Sequence, residues 1–282
     1  MAENIISGRR ARPHAMAPGF AACAALVGLT LVACSPDAGD SDAGPAIADI
    51  DESGRHLPSL YVDRWVEVLE ADGSNGPQKG YREALSACQE AGLPTRPLPE
   101  DDAGRVGTER WQLWRTAGQS AYRVEEWGYT SGDSARQEHC LFRSQRTGYH
   151  EFFDANQSIV LDLESGTRDV SPANPDELEP MPVESSEAES VAGWTGPQEQ
   201  AVQGQPCMEW RSADGAVVCR WSGGAEWGFD ASNPGEFEAN LGPDRYSLVL
   251  KAEPAPGQAG SRLRTEQFVL DGAIDTAAMR PE

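Results

Sequence analysis

Three glutamate–tryptophan pairs are the residues of this sequence best suited to chemistry. They are Glu126–Trp127, Glu209–Trp210 and Glu226–Trp227. A carboxylate beside an aromatic ring suits sugar binding, and two carboxylates at the right separation could hydrolyse a glycosidic bond. On a β-strand, however, neighbouring side chains point to opposite faces, so each Glu would be solvated while its Trp packs inside. We therefore favour core packing, because a buried Trp contributes a large apolar area.

The same tryptophans support an alternative hypothesis, in which a concavity of a sheet binds an apolar or glycan ligand. The candidate lining residues are Trp111, Trp127, Trp210 and Trp227. A hydrolase is the least favoured class, because the sequence does not fix the separation of any two carboxylates. No Gly-x-Ser-x-Gly elbow and no phosphate-binding glycine motif followed by Lys occurs in the sequence. We predict no catalytic residue and no cofactor.

Four cysteines outside the N-terminal region predict two disulfides. They are Cys88, Cys140, Cys207 and Cys219, and they allow three connectivities. We favour Cys88–Cys140 and Cys207–Cys219, because the other pairings would cross a long acidic stretch. A zinc site is the competing interpretation, with His139 next to Cys140, but no Cys-x-x-Cys pair supports it. We predict no metal.

The register of a hairpin decides whether Cys207 and Cys219 can meet. Asp214-Gly215 between them is a typical hairpin dipeptide. A two-residue turn would place Cys219 opposite Trp210. Direct apposition of the two cysteines needs a five-residue loop, 211–215, or a bulge.

One helix and several strands must position these residues. Tyr81, Leu85 and Cys88 recur at helical spacing and are followed by Gly92 and Pro94, which stop a helix. The segment 61–70 is rich in β-branched and aromatic residues and predicts a strand, although its apolar spacing also fits a helix. Further short strands are predicted at 111–115, 121–129, 138–143, 149–153, 159–163, 207–211, 216–221, 226–229, 246–252 and 263–270.

The predicted fold class is mainly β (α+β), with antiparallel meander sheets, one short helix and disulfide cross-links. The strands fall in two β-rich segments, residues 57–164 and 206–282. Between them lies an acidic, Pro-rich connector, residues 165–205, whose composition offers few apolar side chains to bury. We predict that residues 170–200 form an exposed connector without strands.

The N-terminal region has the pattern of an export signal. Arg9, Arg10 and Arg12 precede an uncharged apolar run, residues 20–33, which ends in Leu31-Val32-Ala33-Cys34. This motif resembles the lipobox of bacterial lipoproteins, which implies cleavage before Cys34 and acylation of that cysteine. The resemblance implies a signal peptide at 1–33. The residues after Cys34 are rich in Asp, Ala, Gly and Ser and offer few large apolar side chains to bury, which predicts a flexible acidic tether at 34–56. By analogy with the lipoproteins of Gram-negative bacteria, Ser35 after the cysteine implies the outer membrane rather than the inner membrane.

A second, short resemblance lies at the C-terminus. Phe268-Val269-Leu270, Ile274-Asp275, Met279 and Pro281 are similar to the tails of periplasmic half-barrel lipoprotein carriers. In these proteins a last strand is followed by an Asp-led segment. The resemblance implies a lipid pocket.

Charge excludes whole classes of partner. The sequence has 23 Lys and Arg against 45 Asp and Glu, a net charge of −22. Such a chain lacks the basic surface that a nucleic-acid-binding protein needs. From the lipobox resemblance we expect a lipid-anchored envelope protein with a non-enzymatic structural or interaction role, held to the membrane through Cys34 and facing the periplasm. Another envelope protein is the expected kind of partner.

Overall fold

The computed structural model describes residues 58–132, 139–173, 193–223 and 248–282. The described residues are mainly β, as predicted. The strands are β1 Leu60–Leu69, β2 Thr95–Arg96, β3 Thr108–Thr116, β4 Gln119–Ser131, β5 Cys140–Asp154, β6 Gln157–Asp162, β7 Arg168–Pro172, β8 Trp194–Val202, β9 Gln205–Ser212, β10 Val217–Trp221, β11 Val249–Glu253 and β12 Gly260–Leu270. The helices are α1 Gly76–Glu90, α2 Glu100–Arg105 and a 3₁₀ helix, Ala277–Met279.

All these strands form one sheet. Its order is β7-β6-β5-β4-β3-β1-β12-β11-β10-β9-β8, with antiparallel pairing throughout this path, and the short β2 pairs in parallel with β5. β1 lies between β3 and β12 and pairs with β12 along its full length, from Leu60 to Leu69. The two predicted β-rich segments therefore share one sheet.

Most predicted strands are present within the described residues, and two predictions need correction. The strands predicted at 138–143 and 149–153 are one continuous strand, β5, because the long β4 pairs with it from Phe142 to Asp154. Gly148 allows this continuity. It has a φ of 123°, and a Cβ there would collide with the carbonyl oxygen of Val124. The strand predicted at 226–229 lies outside the described residues.

Helix α1 forms where its spacing and caps predict it. Asn75 caps its first turn by accepting a hydrogen bond from the Gln78 amide, and Pro77 occupies that turn. Gly92 ends the helix with a φ of 67°. The sequence interpretation missed α2, whose acidic first turn after Pro99 is a typical helix start.

The sheet curls around a common core. Tyr122 of β4 and Trp194 of β8 pack against the same apolar cluster, which includes Val66, Trp111 and Val218. Six strands separate β4 from β8 along the sheet. In a flat sheet they would lie roughly 34 Å apart, at about 4.8 Å per strand, so the sheet must curve strongly.

The face of β1, β3, β4 and β5 opposite Val66 and Trp111 is here called the outer face. Other elements cover it at its two ends. At one end, Met279 packs on a cross-strand row formed by Trp114, Ala121, Phe152 and Ile159. At the other end, Tyr81 of α1 packs against Phe142 and Tyr129.

The prediction that residues 170–200 lack strands is wrong at both ends of that range. β7 and β8 are the two edge strands of the sheet. Every residue of β7 is exposed, so backbone pairing with β6 rather than apolar burial holds it in the sheet. The composition did not predict these strands, because composition indicates how much apolar surface a segment can bury. An edge strand that pairs through its backbone needs little such burial. Residues 174–192 lie outside the described residues.

Both predicted disulfides are present, Cys88–Cys140 and Cys207–Cys219. The first connects α1 to β5. The register in the second differs from both predicted alternatives, since Cys207 lies opposite Trp221 and Cys219 opposite Glu209. The cysteines are therefore diagonal neighbours on adjacent strands, with Cα atoms 5.6 Å apart.

Candidate functional site

A band of polar and aromatic side chains crosses the outer face between its two covered ends. We call it the outer strip. The register of β1, β3, β4 and β5 places these residues on one face, since paired residues share a face. The outer strip consists of Asp63, Trp65, Arg110, Gln112, Arg123, Glu125, Trp127, Arg146 and His150.

A buried carboxylate, Asp63, forms the centre of the strip and is 5% exposed. Arg110 donates to it through two nitrogens, Nε to Oδ1 at 3.0 Å and Nη2 to Oδ2 at 2.6 Å. These bonds raise the pKa of Arg110. Tyr61 donates to Asp63 Oδ2 at 3.3 Å and accepts from Gln112 Nε2 at 2.8 Å. Burial is the main reason that the pKa of Tyr61 is raised. This fork of hydrogen bonds fixes the orientation of the Arg110 guanidinium.

A second buried carboxylate, Glu125, has two arginine partners. Arg123 Nη2 donates to Glu125 Oε1 at 2.7 Å, and Arg146 Nη1 donates to the same oxygen at 3.3 Å. Gly148 lies directly opposite Glu125 in the register, so no side chain from that position competes for the carboxylate. Together with the Arg110–Asp63 pair, these two ion pairs hold three arginines along the strip.

Two tryptophans form the aromatic part of the strip. The rings of Trp65 and Trp127 stack with centroids 5.2 Å apart and an interplanar angle of 17°. The guanidinium of Arg105 lies over Trp127, and that of Arg110 lies over Trp65, each 5.8 Å from the ring centroid. Both rings are half-buried. Stacking and cation–π contacts therefore hold this part of the surface in one conformation.

A shallow cleft opens beside Trp65, where α2 lies near β1 and β12. Its volume is about 240 Å³. Its lining residues are Trp65, Glu67, Gly104, Arg105, Thr108, Arg264 and Glu266.

His150 lies under the C-terminal segment at the other side of the strip. It is 4% exposed and stacks on Trp114 with ring centroids 5.9 Å apart. Burial, followed by the nearby positive charge of Arg123, lowers the pKa of His150 to about 4, against the opposing effect of a hydrogen bond to the backbone of Met279. The imidazole is therefore neutral at pH 7.

The structure separates the tryptophans named as possible ligand-binding residues. Trp111 and Trp210 are each 5% exposed and belong to the core. Trp127 is half-buried on the outer strip, while Trp227 and the proposed lipidation site Cys34 lie outside the described residues. The buried pair supports the core-packing interpretation of the sequence.

The expected alternation of Glu and Trp holds at one pair and fails at another. Glu126 is exposed and lies on the face opposite Trp127. Glu209, however, is only 8% exposed although Trp210 beside it is also buried. Glu209 tolerates this position because Arg211 Nη2 donates to its Oε1 at 2.7 Å.

Sequence reasoning missed the partners that complete the strip: Trp65, Arg105 and Arg110. In the sequence, Trp65 appears only as part of a predicted strand, and the two arginines belong to no motif. Alternation along β1 and β3 could have placed Asp63 and Trp65 on one face and Arg110 and Gln112 on one face. Whether these two pairs of residues lie side by side depends on the β1–β3 register. That register joins residues more than 40 positions apart in the chain, so local patterns do not predict it.

Comparison of the sequence with protein-family models and with curated proteins found no match. Within the described ranges, none of the helices combines the length and the apolar character needed to cross a bilayer. In the same ranges, no group of three or more His, Cys, Asp or Glu side chains could hold a metal ion.

Proposed function

We propose that this protein is a lipid-anchored protein of the cell envelope with a non-enzymatic role, and that it presents the outer strip to another envelope component. The anchor would be Cys34, acylated after cleavage of residues 1–33. The complete lipobox Leu31-Val32-Ala33-Cys34 behind a basic, then apolar, segment supports this proposal. Several acyl chains on one cysteine would give stable anchoring, most simply in the outer membrane facing the periplasm.

The disulfides support export to an oxidising compartment. Disulfides persist in the periplasm and on cell surfaces and are rare in the bacterial cytosol. Both cross-links in this protein join strands or helices of the folded body, Cys88–Cys140 and Cys207–Cys219. This observation is independent of the N-terminal motif.

The outer strip supports an interaction role. Trp, Tyr and Arg are the residues that most often dominate binding energy at protein surfaces. Here they are fixed before binding, because Asp63 and Glu125 hold the arginines and Trp127 holds Trp65. A surface that is already ordered loses little conformational entropy when it binds.

Mass spectrometry of the membrane-extracted protein tests the proposal. We expect a mature chain that begins at Cys34 and carries acyl groups on that residue. Cys34→Ala should leave an uncleaved precursor or release the protein from the membrane fraction. The matched control Cys23→Ala should change neither the cleavage nor the membrane attachment. Wild-type protein that is soluble and unmodified would refute the anchor.

A further inference from the structure

The cleft beside Trp65 contains one positive and one negative group that no other described residue neutralises. Glu67 is held internally, by Arg264 at 2.9 Å and by Arg262 at 3.7 Å. Arg105 and Glu266 are both exposed, and neither forms an ion pair with another described residue. The guanidinium can only donate hydrogen bonds and the ionised carboxylate can only accept them. The cleft therefore offers a donor and an acceptor beside an aromatic wall.

The size of the cleft limits the ligand. Its volume of about 240 Å³ lies below the range of roughly 300–1,000 Å³ that is typical of small-molecule pockets. One ring of a larger molecule would fill it, while an acyl chain or a whole lipid would not fit. An open cleft of this kind suits a terminal or internal unit of a polymer.

The chemistry of the lining favours a sugar ring over a cation or an aromatic ligand. Trp65 is the one aromatic side chain among the lining residues, so a cage of several aromatic rings around a cation is not available. A sugar ring needs only an apolar wall for its C–H groups, together with donors and acceptors for its hydroxyls. Trp65, Arg105 and Glu266 supply these three features.

The charge of the whole chain selects among sugars. A net charge of −22 repels polyanionic glycans at long range. Within the cleft, a carboxylate or phosphate on the ring that paired with Arg105 would also lie near the carboxylate of Glu266, which opposes it. A neutral sugar avoids both costs.

We propose that the cleft formed by Trp65, Arg105, Thr108 and Glu266 binds one neutral sugar ring of an envelope glycan. The choice of an envelope glycan rests on the proposed function, whereas sugar binding itself does not. In the complex, the part of the Trp65 side chain that lines the cleft contacts the C–H groups of the sugar, Arg105 donates to a hydroxyl oxygen, and Glu266 accepts from a hydroxyl group. Binding is non-covalent and changes no bond of the sugar.

The test uses the whole protein as extracted from the membrane, in a detergent without a sugar headgroup. The probes are the trisaccharides of N-acetylglucosamine, β-1,4-glucose and α-1,4-glucose, with trigalacturonate as the anionic comparison. Saturation-transfer NMR detects contact with the sugar, and a fluorescence or calorimetric titration gives Kd. We expect at least one neutral trisaccharide to bind with a Kd of about 1 mM or tighter.

A cleft-filling substitution gives the sharpest variant. Gly104 lines the cleft on α2, and a Cβ at this position would meet nothing within 4 Å. Gly104→Leu should therefore fold, favour the helix and remove sugar binding. Gly80→Leu is the matched control, because Gly80 also lies on a helix, α1, with open space around its Cβ. We expect it to bind as the wild type does.

Two polar substitutions test the assigned contacts. Arg105→Gln and Glu266→Gln should each weaken binding about tenfold, the usual effect of losing one hydrogen bond to a charged group. Arg143→Gln, at an exposed position of β5 outside the cleft, should leave Kd unchanged. Thermal melts of all variants confirm that the fold is retained.

Several results would overturn the proposal. They are the absence of saturable binding by any neutral trisaccharide, binding that Gly104→Leu does not alter, and binding of trigalacturonate alone. Capture of a protein partner that the same variants disrupt, without sugar binding, would also overturn it. Acylation of Cys34 is measured separately by mass spectrometry on the same protein, so the anchor and the sugar site can fail independently.

Discussion

At the scale of single residues, the ion pairs of the outer strip differ in how much they should matter. Asp63 is buried and Arg110 is its only arginine partner among the described residues, with 34% of the Arg110 side chain exposed. Arg110→Met would leave a buried carboxylate with one weak donor, Tyr61, and should lower the free energy of unfolding by about 2 kcal/mol. Urea denaturation measures this change.

Arg146→Met is the matched control for that substitution. The Arg146 side chain is 52% exposed, and Glu125 keeps its shorter bond to Arg123. An exposed ion pair of this kind contributes little, so we expect a loss of at most about 0.5 kcal/mol. Equal losses of unfolding free energy in the two variants would show that the buried Arg110–Asp63 pair contributes no more than the exposed Arg146–Glu125 pair.

His150 should make stability depend on pH. Its pKa is about 4 in the folded protein, below the usual value of 6.5. Below pH 6.5 the unfolded chain takes up a proton that the folded protein does not bind, so stability falls between pH 6.5 and pH 4 and this contribution then levels off. The loss from this group is up to about 3 kcal/mol.

His150→Gln should remove that part of the pH dependence, and His139→Gln, at an exposed position, should keep it. Denaturation curves at pH 7, 5.5 and 4 measure the difference. Titration of the His150 imidazole by NMR is the direct check, and a pKa near the usual value would contradict the burial described here.

Glu109 should make stability depend on pH in the direction opposite to His150. Burial, together with the charge of Glu126 opposite it, raises the pKa of Glu109, although Trp111 Nε1 donates to its carboxylate at 2.8 Å. A raised pKa means that the folded protein holds its proton more tightly, so stability is lost as pH rises through that pKa. Glu109→Gln should therefore raise Tm at pH 7 and have a smaller effect at pH 4. A lower Tm at pH 7 would contradict this expectation.

At the scale of secondary structure elements, α1 depends on its N-cap. Asn75 accepts from the Gln78 amide at 3.0 Å and also donates through Nδ2 to the carbonyl of Gly107 at 3.0 Å. It therefore joins the helix to the turn before β3. Asn75→Ala should cost about 1–2 kcal/mol of unfolding free energy in urea denaturation. Ser86→Ala, on the exposed side of the same helix, should cost no more than about 0.5 kcal/mol, and a similar loss in both variants would show that the cap contributes nothing special.

The secondary structure elements also show which features local sequence patterns can predict. The helix α1, most strands and both disulfides could be predicted because spacing, caps and cysteine positions are local signals. The edge strands β7 and β8 could not be predicted, since their residues bury little. The outer strip was missed for another reason. Asp63 and Arg110 are 47 residues apart, and only strand pairing brings them together.

At the scale of the whole molecule, the sequence left open whether the two β-rich segments are one domain or two. The answer depends on β1 and β12, which are about 200 residues apart and pair along the whole of β1. The two segments also share apolar clusters. Leu60 and Val62 pack with Trp221 and Leu250. Each half of the chain therefore lacks a complete core without the other.

A cut between the two segments tests this unity. A site-specific protease sequence inserted between Ser185 and Ser186 would divide the chain after β7 and before β8, and each disulfide would remain within one fragment. We expect the two fragments to co-elute in native size-exclusion chromatography and to separate in denaturant, because β1–β12 pairing and the shared core hold them together. Val66→Asp would place a charge at a fully buried position between the segments and should release the fragments after cleavage. Two separately eluting, folded fragments from the otherwise wild-type cleaved protein would show that each segment is a domain of its own.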